Sequence, residues 1–475
     1  MAPGNVPWRT QPKTKIVCTI GPVSQSEQQL QALLQAGVDV IRLNFSHGTQ
    51  EEHAHVIDRV RRLARQFDSP VAILQDLAGP KVRIGTFADG TVTLKPGESF
   101  TLTTRAIEGT SHQVSVSYSN LPQEVKRGDT LLLADGAVVL EVQNIDNEDI
   151  HCRVIVGGRL SAHKGVNCPS GLFRLPILGQ KDLHDLQFGI ERGVDYIGLS
   201  FVRTAEDVRI AKAEIARQGG NVPIIAKIET QAALAHIDEI LAIADGIMVA
   251  RGDLGIETPL SRVPLVQKQL ITKAKQKAKP VITATQMLWS MVESPRPTRA
   301  EVADIANAVL DGTDALMLSE ETAIGHYPLQ AVQMMAAVAD ETERVGVQAT
   351  NREESPEGVL LSEAEAVARA ACEIASTLRA ELIVTITLEG TTARLVAKYR
   401  PSQTILAVTS RSETYQRIAL IRGVSPLLLS PDVTTREAMI EKAKERMRAY
   451  GLQGKRIVIV SSISAEQNLL ATDRL

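Results

Sequence analysis

Short Val- and Ile-rich runs alternate with longer amphipathic segments over the first two-thirds of the chain. The apolar runs are Lys15–Thr19, Val40–Asn44, Ala72–Leu77, Tyr196–Phe201, Ile224–Lys227, Gly246–Ala250, Val281–Ala284 and Ala315–Leu318. The amphipathic segments include Glu27–Ala36, Glu51–Gln66, Gln180–Glu191, Ala205–Gln218, Val263–Ala278 and Thr298–Leu310. Strands that alternate with helices are typical of parallel βαβ units, and eight of them favour a closed barrel over an open sheet. We therefore predict an α/β fold whose main part is a (β/α)₈ TIM barrel.

The interval between the third and fourth apolar runs is much longer than the others, with about 120 residues between their starts. Most neighbouring strands of such barrels start about 20–35 residues apart. Residues 84–171 in this interval have short alternating strands separated by Gly- and Pro-containing turns. We predict that they form an inserted small β-barrel domain, which splits the catalytic barrel into residues 1–83 and 172–345. Its position after the third strand favours a lid over the active face.

A polar stretch at residues 349–358 follows the eighth predicted helix, Leu329–Arg344, and has the composition of a linker. Helices and strands alternate again beyond it, within residues 346–475. They are Glu363–Thr377, Leu382–Thr387, Thr391–Tyr399, Thr404–Thr409, Ser412–Ile421, Val424–Leu429, Thr434–Tyr450 and Arg456–Ser461. This pattern predicts a C-terminal α/β domain with an open, doubly wound sheet.

Composition excludes several functional classes for this chain of 475 residues. The 52 basic and 55 acidic residues nearly cancel, so we expect no nucleic-acid partner and no anionic membrane surface. No apolar run reaches the ~20 residues of a membrane span, and residues 1–14 lack the apolar core of a signal peptide, so we expect a cytoplasmic protein. The four cysteines (Cys18, Cys152, Cys168 and Cys372) are far apart, which predicts free thiols.

Charged or hydroxyl-bearing residues follow nearly all of the predicted barrel strands, at the ends where catalytic groups of such barrels lie. They include Thr19, Arg42, Asn44, Ser46, His47, Asp76, Lys81, Arg83, Lys227, Glu229, Arg251, Asp253, Thr285, Ser319, Glu320 and Glu321. Each has a plain structural interpretation when taken alone, such as a Lys227–Glu229 charge pair or Asp253 as a helix cap. Because that interpretation would have to hold at nearly every strand end, we favour one shared site.

The residue types at these strand ends suit phosphoryl chemistry on a small acid. The carboxylates of Glu229 and Asp253 would hold Mg²⁺ and leave most of its coordination sphere to substrate and water. Lys227 and Arg42 would surround a phosphate, whose transfer needs mainly positioning and charge neutralisation. A substrate carboxylate could be bound by the backbone N–H groups of Gly252 and Asp253, at a helix start, and by the neutral hydroxyl of Thr285.

Five motifs, in this order along the chain, resemble those of pyruvate kinases. They are Ile41-Arg-Leu-Asn-Phe-Ser-His-Gly48, Ala226-Lys-Ile-Glu229, Met248-Val-Ala-Arg-Gly-Asp-Leu-Gly255, Thr283-Ala-Thr-Gln-Met287 and Pro295-Arg-Pro-Thr-Arg-Ala-Glu301. The likeness covers nearly the whole chain, including the lid and the C-terminal domain. It implies transfer of the phosphoryl group of phosphoenolpyruvate to ADP, which yields ATP and pyruvate.

The resemblance also implies roles for the predicted site residues. Lys227 would stabilise the transition state, and Arg42 would contact the substrate phosphate. Glu229 and Asp253 would hold the substrate-bound Mg²⁺, for which Mn²⁺ substitutes, while a second Mg²⁺ arrives with the nucleotide. The substrate carboxylate would be bound by Gly252, Asp253 and Thr285. The nucleotide-binding positions of the family correspond to Asn44, His47, Arg83 and Lys164, although a structural role fits His47 as well. Two hydroxyls, Thr285 and Ser319, are candidates for the water-mediated proton donor.

The monovalent-cation site of the family is altered in this sequence. Potassium-dependent members hold K⁺ with groups that match Asn44, Ser46, Asp76 and a following threonine, which is Leu77 here. They also carry an acidic residue where this chain has Lys81. The Lys81 ammonium would replace K⁺ beside Asp76, which implies an enzyme that does not require K⁺. A solvated Lys81 without a catalytic role is the alternative.

The C-terminal domain resembles the regulatory domain of the family. A strand-to-helix turn with the hydroxyls of Thr387, Thr391 and Thr392 would form a phosphate cradle, although a simple helix cap fits equally well. Glu389 would place negative charge in that cradle, and residues 459–468 lack a Gly-rich closing loop. We therefore expect a sugar monophosphate effector or none, rather than fructose 1,6-bisphosphate. The resemblance also implies a homotetramer.

Two other functions fit parts of the site. A Mg²⁺-dependent lyase or synthase that binds pyruvate enolate would use Glu229 and Asp253, but it would not need Lys227 beside a phosphate or Lys164 in the lid. The other alternative is a non-catalytic sensor of phosphorylated metabolites, and the loss of Lys227, Thr285 or a metal carboxylate would have favoured it. All of these residues are present.

Overall fold

The computed structural model describes residues 12–169, 174–346, 360–462 and 468–475. Its strands are β1 (Lys15–Thr19), β2 (Val40–Asn44), β3 (Ala72–Asp76), β4 (Thr91–Leu94), β5 (Ser99–Thr103), β6 (Gln113–Ser115), β7 (Thr130–Leu133), β8 (Val138–Asp146), β9 (Asp149–Val156), β10 (Gly158–Ser161), β11 (Val166–Asn167), β12 (Tyr196–Leu199), β13 (Ile224–Ile228), β14 (Gly246–Ala250), β15 (Val281–Ala284), β16 (Ala315–Leu318), β17 (Leu382–Ile386), β18 (Thr404–Thr409), β19 (Val424–Leu428), β20 (Arg456–Ser462) and β21 (Asn468–Arg474). The linker predicted at residues 349–358 lies outside the described residues.

The helices occupy most of the segments whose periodicity predicts them. They are α1 (Glu27–Gln35), α2 (Gln50–Phe67), α3 (Leu121–Glu124), α4 (Gln180–Glu191), α5 (Ala205–Arg217), α6 (Gln231–Ala235), α7 (Ile237–Ile243), α8 (Arg251–Glu257), α9 (Val263–Gln276), α10 (Arg299–Asp311), α11 (Glu320–Ala323), α12 (Pro328–Gly346), α13 (Glu363–Thr377), α14 (Thr391–Lys398), α15 (Ser412–Arg417) and α16 (Arg436–Ala449). Short 3₁₀ helices occur at Leu260–Arg262, Trp289–Val292 and Ile418–Leu420. Within the described residues, no helix is both long and apolar enough to cross a membrane.

Eight parallel strands close into a barrel, which confirms the predicted fold. Their order around the barrel is β1-β16-β15-β14-β13-β12-β3-β2. The strands are buried nearly throughout, because barrel side chains face either the interior or the surrounding helices. The interior layer includes Val17, Val40, Leu74, Ile225 and Met248. Parallel closure brings all eight carboxyl ends to one mouth of the barrel.

The insert after β3 is a β domain with its own core, as predicted. Its strands form a six-stranded sheet, β11-β7-β8-β9-β5-β6, and a two-stranded sheet, β10-β4. Both sheets contribute to one hydrophobic cluster that includes Leu94, Phe100, Leu140 and Leu160. The bounds of 84–171 stay a prediction, since residues 170–173 are outside the described part of the chain.

The C-terminal domain has the predicted open sheet with helices on both faces. Its order is β19-β18-β17-β20-β21, and all neighbours are parallel except β20 and β21. Helices α13 and α14 pack on one face through Ala371 and Val396, whereas α16 packs on the other through Met439 and Met447. The sequence does not predict strand β21, because apolar and polar residues do not alternate clearly in Asn468–Arg474. This segment forms a strand through its pairing with β20.

Candidate active site

A cavity of about 530 Å³ lies between the barrel mouth and the lid. Five of the predicted site residues line it: His47, Lys81, Arg83, Lys164 and Asp253. They come from barrel loops and from the lid, so closure of the lid over the mouth forms the cavity. A concave, partly polar cavity at this end of a (β/α)₈ barrel is where substrates bind.

The Lys227 side chain lies at the floor of the mouth and is 11% exposed. Its Nζ lies 3.2 Å from Asp76 Oδ1 and 2.9 Å from Glu229 Oε1. It also donates to Ser200 Oγ at 2.7 Å. Burial by itself lowers the pKa of Lys227, but the two carboxylates outweigh burial and raise it. Lys227 is therefore a fixed positive charge.

Asp76 and Arg42 form a second buried pair beside Lys227. The Nε of Arg42 donates to Asp76 Oδ2 at 2.7 Å, and its Nη1 donates to Thr19 Oγ1 at 2.9 Å. Burial opposes ionisation of Asp76, yet Lys227 and Arg42 together hold its pKa below the usual value. The carboxylate thus orients two cations toward one place, as binding of a phosphate requires.

Glu229 and Asp253 are hard oxygen donors of the kind that Mg²⁺ prefers. Glu229 is buried, and its Oε2 accepts the Phe201 N–H at 2.6 Å. Burial raises its pKa, Lys227 opposes the rise, and Asp253 adds to it. A divalent cation would relieve this repulsion, so the donor set fits the metal. No cluster of three or more His, Cys, Asp or Glu suited to a metal occurs within the described residues.

Lys81 lies beside Asp253. The sequence-based prediction places it beside Asp76. Its Nζ is 4.0 Å from Asp253 Oδ1 and 5.1 Å from the centre of the Phe201 ring. The oxygens of Asp76 are already paired with Arg42 and Lys227. The ammonium group of Lys81 and the carboxylate of Asp253 thus both line the cavity.

Thr285 occupies a left-handed backbone conformation at the end of β15, with φ at +72°. A β-branched residue in this region costs about 1–3 kcal/mol and persists only when its surroundings impose it. Its Oγ1 accepts the Gly252 N–H at 2.8 Å and donates to the Ala284 carbonyl at 2.6 Å. The hydroxyl and the start of α8 therefore adjoin, as the predicted carboxylate site requires.

Ser319 is nearly buried where β16 ends. Its backbone N–H donates to Glu321 Oε2 at 2.7 Å, and Glu321 Oε1 accepts the Leu288 N–H at 3.0 Å. Glu321 is fully buried, and burial raises the pKa of its carboxyl group. It connects the loops that follow β15 and β16, and thereby the two candidate proton donors.

The predicted nucleotide residues line the cavity, except for Asn44. The Asn44 Oδ1 accepts the Ser46 N–H at 3.1 Å, which shapes the loop after β2. His47 is exposed; its backbone N–H donates to the Asn44 carbonyl at 3.2 Å, and its own carbonyl is bonded to the His53 ring at 3.0 Å. Arg83 Nη1 donates to the His163 carbonyl at 2.9 Å, next to the exposed Lys164.

The three predicted effector residues lie in the C-terminal domain, at the turn from β17 to α14. Thr387 Oγ1 accepts the Gly390 N–H at 2.9 Å, and Thr391 Oγ1 accepts from Arg394 Nη2 at 3.1 Å. The buried Thr392 hydroxyl has no hydrogen-bond partner among the described residues. The nearby Glu389 carboxylate is 3.6 Å from Arg411, which reduces its repulsion of an anion.

Sequence reasoning misses two residues at the end of β12. Ser200 Oγ lies between Lys227 and the Leu77 carbonyl, to which it donates at 2.8 Å. Phe201 binds Glu229 through its N–H, supports Lys81 with its ring and has φ at +56°. The sequence carries a signal for both, since they are the last two residues of the apolar run Tyr196–Phe201, whereas β12 ends at Leu199.

Comparison with known proteins agrees with this fold. A family model for the pyruvate kinase barrel domain matches residues 11–332, and one for the pyruvate kinase alpha/beta domain matches residues 365–471. Pyruvate kinase 2 of Synechocystis is 47% identical over 440 residues, which cover 91% of this chain and 74% of that protein. Pyruvate kinase of Thermotoga maritima is 43% identical over 464 residues, which cover 97% of this chain and 98% of that protein.

A solved structure agrees as well. The crystal structure of a pyruvate kinase from Cryptosporidium parvum superposes with a TM-score of 0.92 at 38% identity, covering 98% of this chain and 96% of that one. The fold and its site define a phosphotransferase built on a (β/α)₈ barrel. The chain belongs to the pyruvate kinase family.

Proposed function

We propose that this chain transfers the phosphoryl group of phosphoenolpyruvate to ADP and releases pyruvate. The observation that carries the proposal is the position of Lys227, whose ammonium group is held between the buried carboxylates of Asp76 and Glu229 beside Arg42. A cation fixed in this way neutralises charge on a phosphoryl group in transfer without reorganising during the reaction.

Each side chain of the site then has a defined task. Arg42 binds the phosphate from the side of Asp76, while Thr285 and the start of α8 orient the carboxylate. When bound by Glu229 and Asp253, Mg²⁺ or Mn²⁺ would neutralise charge on the substrate oxygens. After transfer, the enolate takes a proton through water from the side of Thr285 or Ser319.

We also propose that turnover does not require K⁺. The side chain of Leu77 is 1% exposed and carries no oxygen to offer a cation. Lys81, at 4.0 Å from Asp253, places an ammonium group on the cavity side of the proposed metal carboxylate. This contact supports the ammonium as the replacement for K⁺, acting next to Asp253 instead of Asp76.

ADP would bind on the side of the cavity that His47, Arg83 and Lys164 line, with Asn44 shaping the adjacent loop. The effector proposal is a sugar monophosphate bound at Thr387, Thr391 and Thr392. Its measurable consequence is activation by such a compound and not by fructose 1,6-bisphosphate. Cytoplasmic location and a homotetramer remain predictions, the latter checked by the mass of the purified protein in solution.

The experiment that tests the activity and its cation requirement is one assay of pyruvate formation. Phosphoenolpyruvate, ADP and Mg²⁺ are supplied with tetramethylammonium as the other cation, and K⁺ is then added. Fast turnover before K⁺ supports both proposals. Turnover only after K⁺ would retain the kinase and overturn the role of Lys81. No turnover in either condition would overturn the kinase and favour the lyase or the sensor.

A further inference from the structure

The loop that follows β15 holds two consecutive residues in the left-handed region. Thr285 has φ at +72° and Gln286 has φ at +55°. Neither is glycine, so this backbone needs support from outside the loop. Because such a turn also points its carbonyl groups away from the strand ladder, these carbonyls need donors elsewhere.

Arg251, at the first position of α8, supplies such a donor to Thr285 and a second one to the preceding residue, Ala284. Its Nη2 donates to the Thr285 carbonyl at 2.8 Å, and its Nε donates to the Ala284 carbonyl at 3.3 Å. The Asp304 carboxylate fixes the guanidinium group through Nη1 at 2.7 Å. The Arg251 side chain is 13% exposed and does not line the cavity. It therefore supports the site without facing the substrate.

The backbone of Arg251 also belongs to the wall of the predicted carboxylate site that faces Thr285, at the start of α8. It directly precedes Gly252, whose N–H donates to the Thr285 hydroxyl at 2.8 Å. The Arg251 side chain thus joins the α8 backbone to the Thr285 loop beside the Gly252–Thr285 hydrogen bond. Only a guanidinium group has the fork of donors that can hold two carbonyls and a carboxylate together, because lysine offers a single nitrogen.

We propose that Arg251 is a positioning residue that sets the carboxylate-binding geometry of Thr285 and the start of α8. The inference rests on the proposed function, in which these groups bind the carboxylate of phosphoenolpyruvate. Displacing a positioned group by about 1 Å commonly costs on the order of 100-fold in rate. The loss should therefore appear in binding and turnover of phosphoenolpyruvate and not in binding of ADP.

The test compares Arg251→Lys with Arg400→Lys, which makes the same change at a matched location. Arg400 also holds a carboxylate and a loop carbonyl, with 2.7 Å from Nη1 to Asp314 and 2.7 Å from Nη2 to the Gly312 carbonyl. Its side chain is 16% exposed, but it contacts the loop before β16, at the end of the barrel away from the mouth. Both variants lose a comparable guanidinium network.

For Arg251→Lys we expect the KM for phosphoenolpyruvate to rise at least about tenfold and kcat to fall, with the KM for ADP within twofold. Arg400→Lys should leave all three constants within twofold. Backbone hydrogen exchange in residues 284–288 should accelerate in Arg251→Lys and not in Arg400→Lys. Equal changes of both KM values, or unchanged exchange in residues 284–288, would overturn the proposal. An inactive parent would overturn the proposed function instead, while hydrogen exchange would still test the role of Arg251.

Discussion

The Nζ of Lys227, in β13, lies 2.9 Å from Oε1 of Glu229, the residue that directly follows this strand. Residues i and i+2 of a strand point to the same side, and this alternation, continued one residue beyond β13, brings the pair together. Asp76 joins from β3, which is separated from β13 by β12 in the barrel order. The three side chains form one buried charge cluster because the strand ends converge at the barrel mouth.

Replacement of Lys227 by methionine should reduce turnover by about 10³-fold, since it removes the fixed charge at the reaction centre. Methionine keeps most of the side-chain volume, and Arg42 still pairs with Asp76, so the fold should persist. Steady-state kinetics and far-UV circular dichroism measure the two effects. Lys212→Met is the control, because Lys212 pairs with Asp245 away from the barrel mouth, at 2.9 Å. Activity within tenfold of the parent would contradict the role of Lys227.

Lys81→Glu combined with Leu77→Thr should make the enzyme respond to K⁺. The double variant removes the ammonium group beside Asp253 and adds a carboxylate and a hydroxyl group near the position of a monovalent cation. Without K⁺ we expect at least about a tenfold loss of kcat, with partial recovery at saturating K⁺. Lys95→Glu is the control, because it makes the same change of charge on the exposed surface of the lid. A rate that stays flat from zero to saturating K⁺ would remove support for the substitution of K⁺ by Lys81.

Lys164→Ala should raise the KM for ADP about tenfold and leave the KM for phosphoenolpyruvate within twofold. The lid presents this exposed ammonium group to the cavity, where it would meet nucleotide phosphates. Lys126→Ala is the matched control, because Lys126 is an exposed lid lysine outside the cavity lining. Titrations of both substrates give the result. If the two variants behave alike, Lys164 has no specific nucleotide contact.

Stability should depend on pH through Lys13, at the contact between the barrel and the C-terminal domain. Its Nζ donates to the Pro401 carbonyl at 2.9 Å and to the Ser402 carbonyl. Burial, reinforced by Arg422 and opposed by Glu343, lowers the pKa of Lys13 from 10.5 to about 8. Between these values the unfolded chain binds more protons than the folded protein, so this group makes the free energy of unfolding rise with pH.

The measurement is the free energy of unfolding by urea at pH 7.5 and pH 10, for the parent and for Lys13→Met. Subtracting the variant isolates the contribution of Lys13 from the other groups that titrate in this range. The difference, parent minus variant, should increase by about 1–3 kcal/mol between the two pH values. A difference that is constant or falls with pH would show that Lys13 keeps its ordinary pKa in the folded protein.

Much of the fold could be predicted because periodicity is local. The runs at Lys15–Thr19, Val40–Asn44 and Gly246–Ala250 coincide with β1, β2 and β14. Barrel strands must be apolar on both faces, so each strand is a short apolar run that can be recognised in the sequence alone. Strand β21 escaped prediction because Asn468–Arg474 is defined by its antiparallel partner rather than by its own pattern.

The sequence by itself determined the barrel, the insert, the C-terminal sheet and the strand ends at which Lys227, Glu229 and Asp253 stand. It did so because strand direction and side-chain alternation follow from short-range rules. Only the tertiary structure decided that Lys81 faces Asp253 and that Arg251 supports the strained Thr285. Those contacts join residues far apart in the chain, and their partners depend on how neighbouring strand ends and the lid approach one another.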